Sequence, residues 1–171
     1  ETAITSTFPI LEAGTEEQKK EFLPQIARGE LILTTALLET EGTFTATGIT
    51  TKATAKGDNF IINGTKLFVE MAHVADYIIC ATRTKSGGAP EEGITLFIVD
   101  PKTPGIHREV IPTMAMDKQC EVRFEDVTVP KKNMLGNIDK GWAIIEMLLR
   151  KGAIVKCAES VGAVQTCVEM T

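Results

Sequence analysis

Residues 57–69 read Gly-Asp-Asn-Phe-Ile-Ile-Asn-Gly-Thr-Lys-Leu-Phe-Val, and this stretch decides the fold of the chain. The runs at 60–62 and 66–69 are rich in β-formers, and Asn63-Gly64 lies between them. Because Asn-Gly accepts the positive φ angles of a tight type I′ turn, the pattern predicts a β-hairpin that reverses direction at Asn63-Gly64.

Further short β-rich runs lie on both sides of this predicted hairpin. The predicted strands are 31–38, 50–56, 59–62, 66–69, 77–84, 94–99, 108–112 and two short runs within 120–129. The runs at 77–81 and 94–99 are the most apolar and are predicted to be central. Many short strands without intervening helices predict a small antiparallel β-barrel or sandwich.

Helical patterns flank the β-rich region on both sides. Before Gly29, Thr15 is a candidate N-cap with Gln18 at the capping-box position, Pro24 predicts a break or kink, and Gly29 is a candidate terminator. From 139 to 171 apolar residues recur at helical spacing, which predicts a helix of roughly 30 residues. The fold class is therefore mainly β with flanking α, ending in a long C-terminal helix.

Composition and charge exclude several classes of function. The chain has 171 residues and a formal net charge of −5, so a basic nucleic-acid-binding surface is not expected. No apolar run approaches the ~20 residues that span a bilayer. There is no initiating Met and no secretory signal, and we expect an excised fragment or a processed form.

The metal-ligating and thiol residues are too dispersed to form a metal site. His73 and His107 have no partner at ligand spacing, so we expect no metal. The four cysteines contain no CxxC pair, and we expect buried free thiols in a reducing compartment. They are Cys80, Cys120, Cys157 and Cys167.

The order of motifs is more informative than any single motif. ALLE at 36–39 is followed by INGTK at 62–66, ADY at 75–77, FEDVTVP at 124–130, LG at 135–136 and KGW at 140–142. In this order the chain resembles the acyl-CoA dehydrogenase family of flavoenzymes. The resemblance implies the end of an N-terminal helical domain at 1–30, a central β-domain at 31–135, and the first helix of a C-terminal helical domain at 136–171.

The resemblance also implies a chemistry. Members of the family desaturate an acyl-CoA thioester between its α and β carbons, with a carboxylate base and a bound FAD as oxidant. The implied partners are an acyl-CoA substrate, electron-transferring flavoprotein as a possible acceptor, and further copies of the chain in a homo-oligomer. The implied location is the cytoplasm, or the mitochondrial matrix in a eukaryote. Acyl-chain specificity does not follow from the sequence.

Two segments match the family's flavin-contacting segments. The resemblance implies that the cofactor-binding residues are Ala36, Leu37, Leu38, Thr43, Phe68, Val69 and Glu70, and that Phe44 is substrate-binding. Three of these positions lack a hydroxyl group that the family pattern has. Leu38 takes the place of a Thr, Phe44 that of a Ser, and Glu70 that of a hydroxyl donor, so the cofactor contacts at 36–38 would be made by the backbone.

No catalytic base is identifiable in this chain. The family's substrate-binding or catalytic carboxylates in the long helix fall on 150–153, which reads Arg-Lys-Gly-Ala. We therefore expect the parent protein to be the enzyme and the chain alone to be inactive. The alternative is a non-catalytic binding or assembly module that keeps the fold and has a degenerate flavin site.

Overall fold

The computed structural model describes residues 2–170, and the order of their elements is helices, then strands, then one long helix. The helices are α1 (Thr2–Ala13), α2 (Glu16–Ala27) and α3 (Trp142–Glu169). The strands are β1 (Leu33–Ala36), β2 (Lys52–Lys56), β3 (Asn59–Glu70), β4 (Tyr77–Arg83), β5 (Ile94–Val99), β6 (Ile106–Ile111), β7 (Gln119–Pro130) and β8 (Met134–Leu135).

The strands form one sheet in the order β6-β7-β3-β2-β4-β5-β8, with β1 paired to β4. Most pairs are antiparallel, but β1 and β2 each pair with β4 in parallel. Both β4 and β5 have neighbours on each side, so the prediction that these apolar runs are central is confirmed. The predicted fold class, mainly β with flanking helices, is also confirmed.

The predicted hairpin at Asn63-Gly64 is wrong, because β3 continues through these residues. The reversal lies at Gly57-Asp58, where Lys56 pairs with Asn59 across a two-residue turn. Asn63 and Gly64 lie at a register shift between β3 and β7. A strand that is paired on both sides gains ladder hydrogen bonds along its length, and these outweigh the local turn preference of Asn-Gly.

Two apolar clusters lie on opposite faces of the sheet, and β4 contributes alternately to both. Ile78 and Cys80 belong to one cluster, within the strands. Ile79 and Ala81 belong to the other, which packs against the helices. This alternation follows from the two-residue period of side chains in a strand. The second cluster places α1 and α3 beside the edge where β1 ends.

The N-terminal helices begin and end for local reasons. Thr15 caps α2 and forms the predicted capping box with Gln18, and Gly29, with φ +70°, follows the C-cap of the helix. The predicted break at Pro24 is wrong, because α2 continues to Ala27. The carbonyl that loses its partner belongs to Lys20, an exposed residue, so water can satisfy it. The break between the two helices lies at Gly14-Thr15 instead.

The long helix α3 differs between its two halves. Ile145 and Leu148 are buried against the sheet, whereas residues 156–170 are all exposed. Cys157 and Cys167 lie in this exposed half, so the expectation of buried thiols is correct only for Cys80 and Cys120. In the described part of the chain no helix has the length and apolar character needed to cross a bilayer.

Candidate functional site

A groove of about 370 Å³ lies between α1, the end of β1, the end of β3 and α3. Most of its lining is aliphatic or aromatic. It is lined by Ile4, Thr5, Thr34, Thr35, Leu37, Leu38, Phe44, Leu67, Phe68, Glu70, Leu148, Leu149, Gly152, Ala153, Val155 and Lys156. A mostly apolar concave site with a few polar groups is the usual form of a site for a small molecule or cofactor.

The structure brings five of the eight site residues from the sequence analysis to this groove. Leu37 and Leu38 follow β1, Phe44 lies in the loop beyond them, and Phe68 and Glu70 end β3. The two segments are about thirty residues apart in the chain and meet because β3 passes the end of β1. The amide of Leu67 donates a hydrogen bond to the carbonyl of Leu38 at 2.9 Å.

The other three residues lie elsewhere. The side chains of Ala36 and Val69 are buried in the core within the strands, so only their backbone atoms could contact a ligand. Thr43 lines a small adjoining cavity together with Phe44 and Trp142. The strand period explains this arrangement, since Val69 lies between Phe68 and Glu70 and points to the opposite face.

Phe68 has an unusual backbone conformation at the groove. Its φ is +53°, and it lies at a register shift between Lys66 and Val69 of β3. A left-handed conformation is costly for a bulky residue, and a bulge redirects side chains. The result is an aromatic ring that is 48% exposed at the wall of the groove rather than packed in the core. Strain of this kind is concentrated at functional sites.

A buried ion pair lies behind the floor of the groove. The ammonium of Lys66 is 2.7 Å from Oε1 of Glu39, and the two side chains are 0% and 4% exposed. Thr50 donates to Glu39 through its amide and its hydroxyl, and the amide of Thr51 donates as well. Lys66 also donates to the carbonyl of Leu37 at 3.3 Å. The pair thus ties residues 37–39 to β3 and to the start of β2.

The two carboxylates near the groove have pKa values shifted in opposite directions. Burial would raise the pKa of Glu39, but the Lys66 ammonium and the hydrogen bonds from Lys66, Thr50 and Thr51 lower it overall. Burial raises the pKa of Glu70, and the carboxylates of Asp117 and Glu159 raise it further. Glu39 is therefore a fixed anion, while Glu70 carries its negative charge at some cost.

Several lining residues were not identified from the sequence. Thr5 of α1 and Thr35 of β1 place hydroxyls at the groove, and Thr35 donates to the carbonyl of Thr5 at 3.4 Å. Gly152 and Ala153 leave room beside α3, at the position where the sequence analysis noted missing carboxylates. No local signal marks the threonines, because their place in the groove depends on how α1 packs on β1.

Few ionisable side chains line the groove. Glu70 is the one carboxylate among its lining residues. Among residues 2–170 no cluster of three or more His, Cys, Asp or Glu side chains could bind a metal ion. The groove offers an apolar, partly aromatic wall with a few backbone and hydroxyl donors, which suits the binding of a small molecule.

One backbone donor in the groove has no protein partner. The amide of Leu38 donates to no acceptor within residues 2–170. A planar heteroaromatic cofactor has an apolar face and acceptor atoms at its edge. The exposed ring of Phe68, the leucine side chains and this free amide therefore fit a flavin ring.

Comparisons with known proteins identify the family of this chain. Residues 34–127, more than half of the chain, match the family model of the acyl-CoA dehydrogenase middle domain. Residues 2–30 match the model of the N-terminal domain of the same family. The fold is thus that of the middle domain with its preceding helices, and the chain belongs to the acyl-CoA dehydrogenase family.

Individual relatives are similar over most of this chain. The mitochondrial short/branched chain specific acyl-CoA dehydrogenase of Bos taurus is 35% identical over 92% of this chain and 37% of its own length. Subunit CarC of the caffeyl-CoA reductase-Etf complex of Acetobacterium woodii is 33% identical over 92% of this chain and 42% of its own. The chain thus spans about two fifths of these relatives.

A solved structure shows the same arrangement. Butyryl-CoA dehydrogenase from Megasphaera elsdenii matches with a TM-score of 0.79 and 33% identity, over 86% of this chain and 39% of that one. The match supports the sheet order and the packing of the helices described above.

Proposed function

We propose that this chain is part of a flavin-dependent, acyl-CoA dehydrogenase-like oxidoreductase that desaturates an acyl-CoA thioester between its α and β carbons. The chain contributes the groove, and FAD is the ligand of the groove. The observation that carries it is the convergence of the free Leu38 amide, the strained Phe68 and the aliphatic face of α3 on one groove. Domains at 1–30, 31–135 and 136–171 belong to the same proposal.

The residues of the groove have distinct proposed tasks. Phe68 packs against the face of the ring, Leu37 and Leu38 exclude water, and the Leu38 amide donates to an acceptor at the ring edge. Thr43, Val69 and Ala36 contribute at most backbone contacts, and Phe44 lies at the mouth, where substrate would approach. FAD when bound supplies the redox chemistry, and the protein supplies position and electrostatics.

The proposed partners follow from the proposed function. An acyl-CoA is the proposed substrate, and an electron-transferring flavoprotein is the proposed acceptor, since one relative is named as a subunit of an Etf complex. The exposed half of α3 is proposed to contact a second copy of the chain. A reducing compartment, the cytoplasm or the mitochondrial matrix, suits the free cysteines.

The alternative is a non-catalytic binding module on the same fold. Glu70 favours it, because a carboxylate at the groove wall repels electron-rich ligand atoms. Phe44 favours it too, because an apolar ring there offers no hydrogen bond to a phosphate. We expect no turnover of any acyl-CoA by the 171-residue chain, because residues 150–153 carry none of the carboxylates that the family has in this helix.

FAD titration by fluorescence quenching or calorimetry tests the proposal. We expect saturable binding in the micromolar range, weakened about fivefold by Phe68→Ala, because a ring contact is worth ~1 kcal/mol. Val110→Ala is the matched control, since Val110 is similarly exposed on the distant edge strand β6. Absence of FAD binding by the wild-type chain, or equal weakening by both variants, contradicts the proposed role of the groove.

A further inference from the structure

We propose that Lys66 is a positioning residue for the ligand of the groove. Its buried ammonium binds the carbonyl of Leu37, and thereby orients and polarises the peptide group whose other end is the Leu38 amide. This inference rests on the proposed function, because it assigns the residue that prepares one donor of the proposed flavin site.

The geometry of one peptide group carries the first step. The carbonyl of Leu37 and the amide of Leu38 belong to the same peptide, and no peptide bond in the described residues is cis. In a trans peptide the C=O and N–H bonds point in opposite directions. The carbonyl points at Lys66, 3.3 Å away in the buried cluster. The amide therefore points away from that cluster, and both leucines line the groove.

The charge of Lys66 also affects how strongly the Leu38 amide donates. A cation at the carbonyl end draws electron density through the peptide, and hydrogen bonds in series strengthen one another where the local dielectric is low. Lys66 is 0% exposed, so little water screens its charge. The Leu38 amide is consequently a stronger donor than an ordinary backbone amide, and it has no acceptor in residues 2–170.

Several contacts fix the ammonium of Lys66 in place. Glu39 neutralises it at 2.7 Å and accepts hydrogen bonds from Thr50 and Thr51. The carbonyl of Leu38 accepts from the amide of Leu67, the next residue after Lys66. The segment 37–39 is therefore attached to β3 at three points. A buried ion pair contributes little net stability, so the role assigned to it is to hold this segment in one conformation.

Three variants test the role of Lys66. Lys66→Met removes the charge and keeps a long apolar chain. The double variant Glu39→Gln with Lys66→Met removes both charges, so no buried carboxylate is left unpaired and folding is preserved. Lys52→Met is the matched control, because Lys52 is an exposed lysine on the neighbouring strand β2.

Two readouts separate positioning from stability. We expect FAD affinity to fall about tenfold in Lys66→Met and in the double variant, as for a weakened hydrogen bond, while the double variant regains thermal stability. We also expect the proton resonance of the Leu38 amide, recorded without FAD, to move upfield in both. Lys52→Met leaves affinity and resonance unchanged.

The outcomes are distinguishable. If the double variant regains both stability and FAD affinity, Lys66 is only structural and the inference is overturned. If the wild-type chain binds no FAD, the proposed function fails. The Leu38 resonance then still decides whether Lys66 polarises the peptide, and an unchanged resonance overturns that claim.

Discussion

Glu39 and Lys66 show how much a single buried contact matters in this chain. The two residues are almost fully buried, and each loses its hydration on folding. A buried pair contributes little net stability relative to an apolar replacement, but breaking it by removing one charge costs about 3–5 kcal/mol. Cys80, a neighbour of this pair in the core, has its pKa raised to about 12 by burial and remains a neutral thiol.

The loss of folding stability caused by Glu39→Gln depends on pH, in the direction set by the pKa shift of Glu39. The folded-state pKa of Glu39 is lowered, so its ionised form stabilises the fold above its unfolded pKa of about 4.3. This contribution is lost as the pH falls through the folded-state pKa. We expect Glu39→Gln to cost about 3 kcal/mol at pH 7 and progressively less below about pH 4.

Chemical denaturation at several pH values measures this difference. Glu41→Gln is the control, because Glu41 is an exposed carboxylate two residues away. Its variant should follow the wild type at every pH. A cost for Glu39→Gln that is the same at pH 7 and pH 3 would show that the carboxylate charge is not the source of the stability.

At the scale of elements, β3 determines the geometry of the site. It pairs with β2 on one side and β7 on the other, and its two register shifts place Gly64 and Phe68 in uncommon conformations. The second shift directs the Phe68 ring into the groove. Bulges of this kind are features of functional strands rather than defects.

Alanine substitutions at two glycines distinguish the turn from the bulge. A Cβ at Gly57 meets open space, so Gly57→Ala costs only the strain of φ +60°, about 1–2 kcal/mol. A Cβ at Gly64 lies 2.5 Å from Oγ1 and 2.8 Å from Cα of Thr51. We therefore expect Gly64→Ala to be the more destabilising change in thermal or chemical unfolding. Equal losses of stability in the two variants would indicate that the backbone around Thr51 shifts to accommodate the new Cβ.

At the scale of the molecule, the second half of α3 presents exposed apolar side chains. Along α3, Ile154, Val161 and Val168 recur at seven-residue spacing, and Val161 is 70% exposed. The first half of the helix packs on the sheet, whereas this second half has no cover within residues 2–170. An exposed apolar stripe of this kind is typical of an interaction surface.

We expect the chain to self-associate through this stripe. Light scattering at rising concentration should give a mass above that of one copy, and Val161→Glu with Val168→Glu should reduce it to the monomer, since burying a carboxylate is costly. Ser160→Glu is the control, because it adds a carboxylate about 100° around the helix from Val161 and removes no apolar residue. A monomer for the wild type at high concentration contradicts the expectation.

Elements with local causes could be predicted from the sequence. The capping box at Thr15 and Gln18, the terminating Gly29 and the apolar spacing that predicts α3 all depend on residues within a few positions of one another. The two most apolar runs were recognisable as central strands, because complete burial requires apolar side chains on both faces. The order of motifs was sufficient for the family.

Features that depend on distant partners could not be predicted, because they arise when separate parts of the chain pack together. Asn63-Gly64 has the local preference of a turn, but pairing with β2 and β7 keeps β3 continuous through it, with a register shift. Glu39 and Lys66 are 27 residues apart. No local pattern predicts that the ammonium of Lys66 pairs with the carboxylate of Glu39. The groove itself exists because α1 and α3 pack beside β1 and β3. Local preference is worth at most about 1 kcal/mol per residue, whereas ladder pairing and burial act over whole elements and therefore override it.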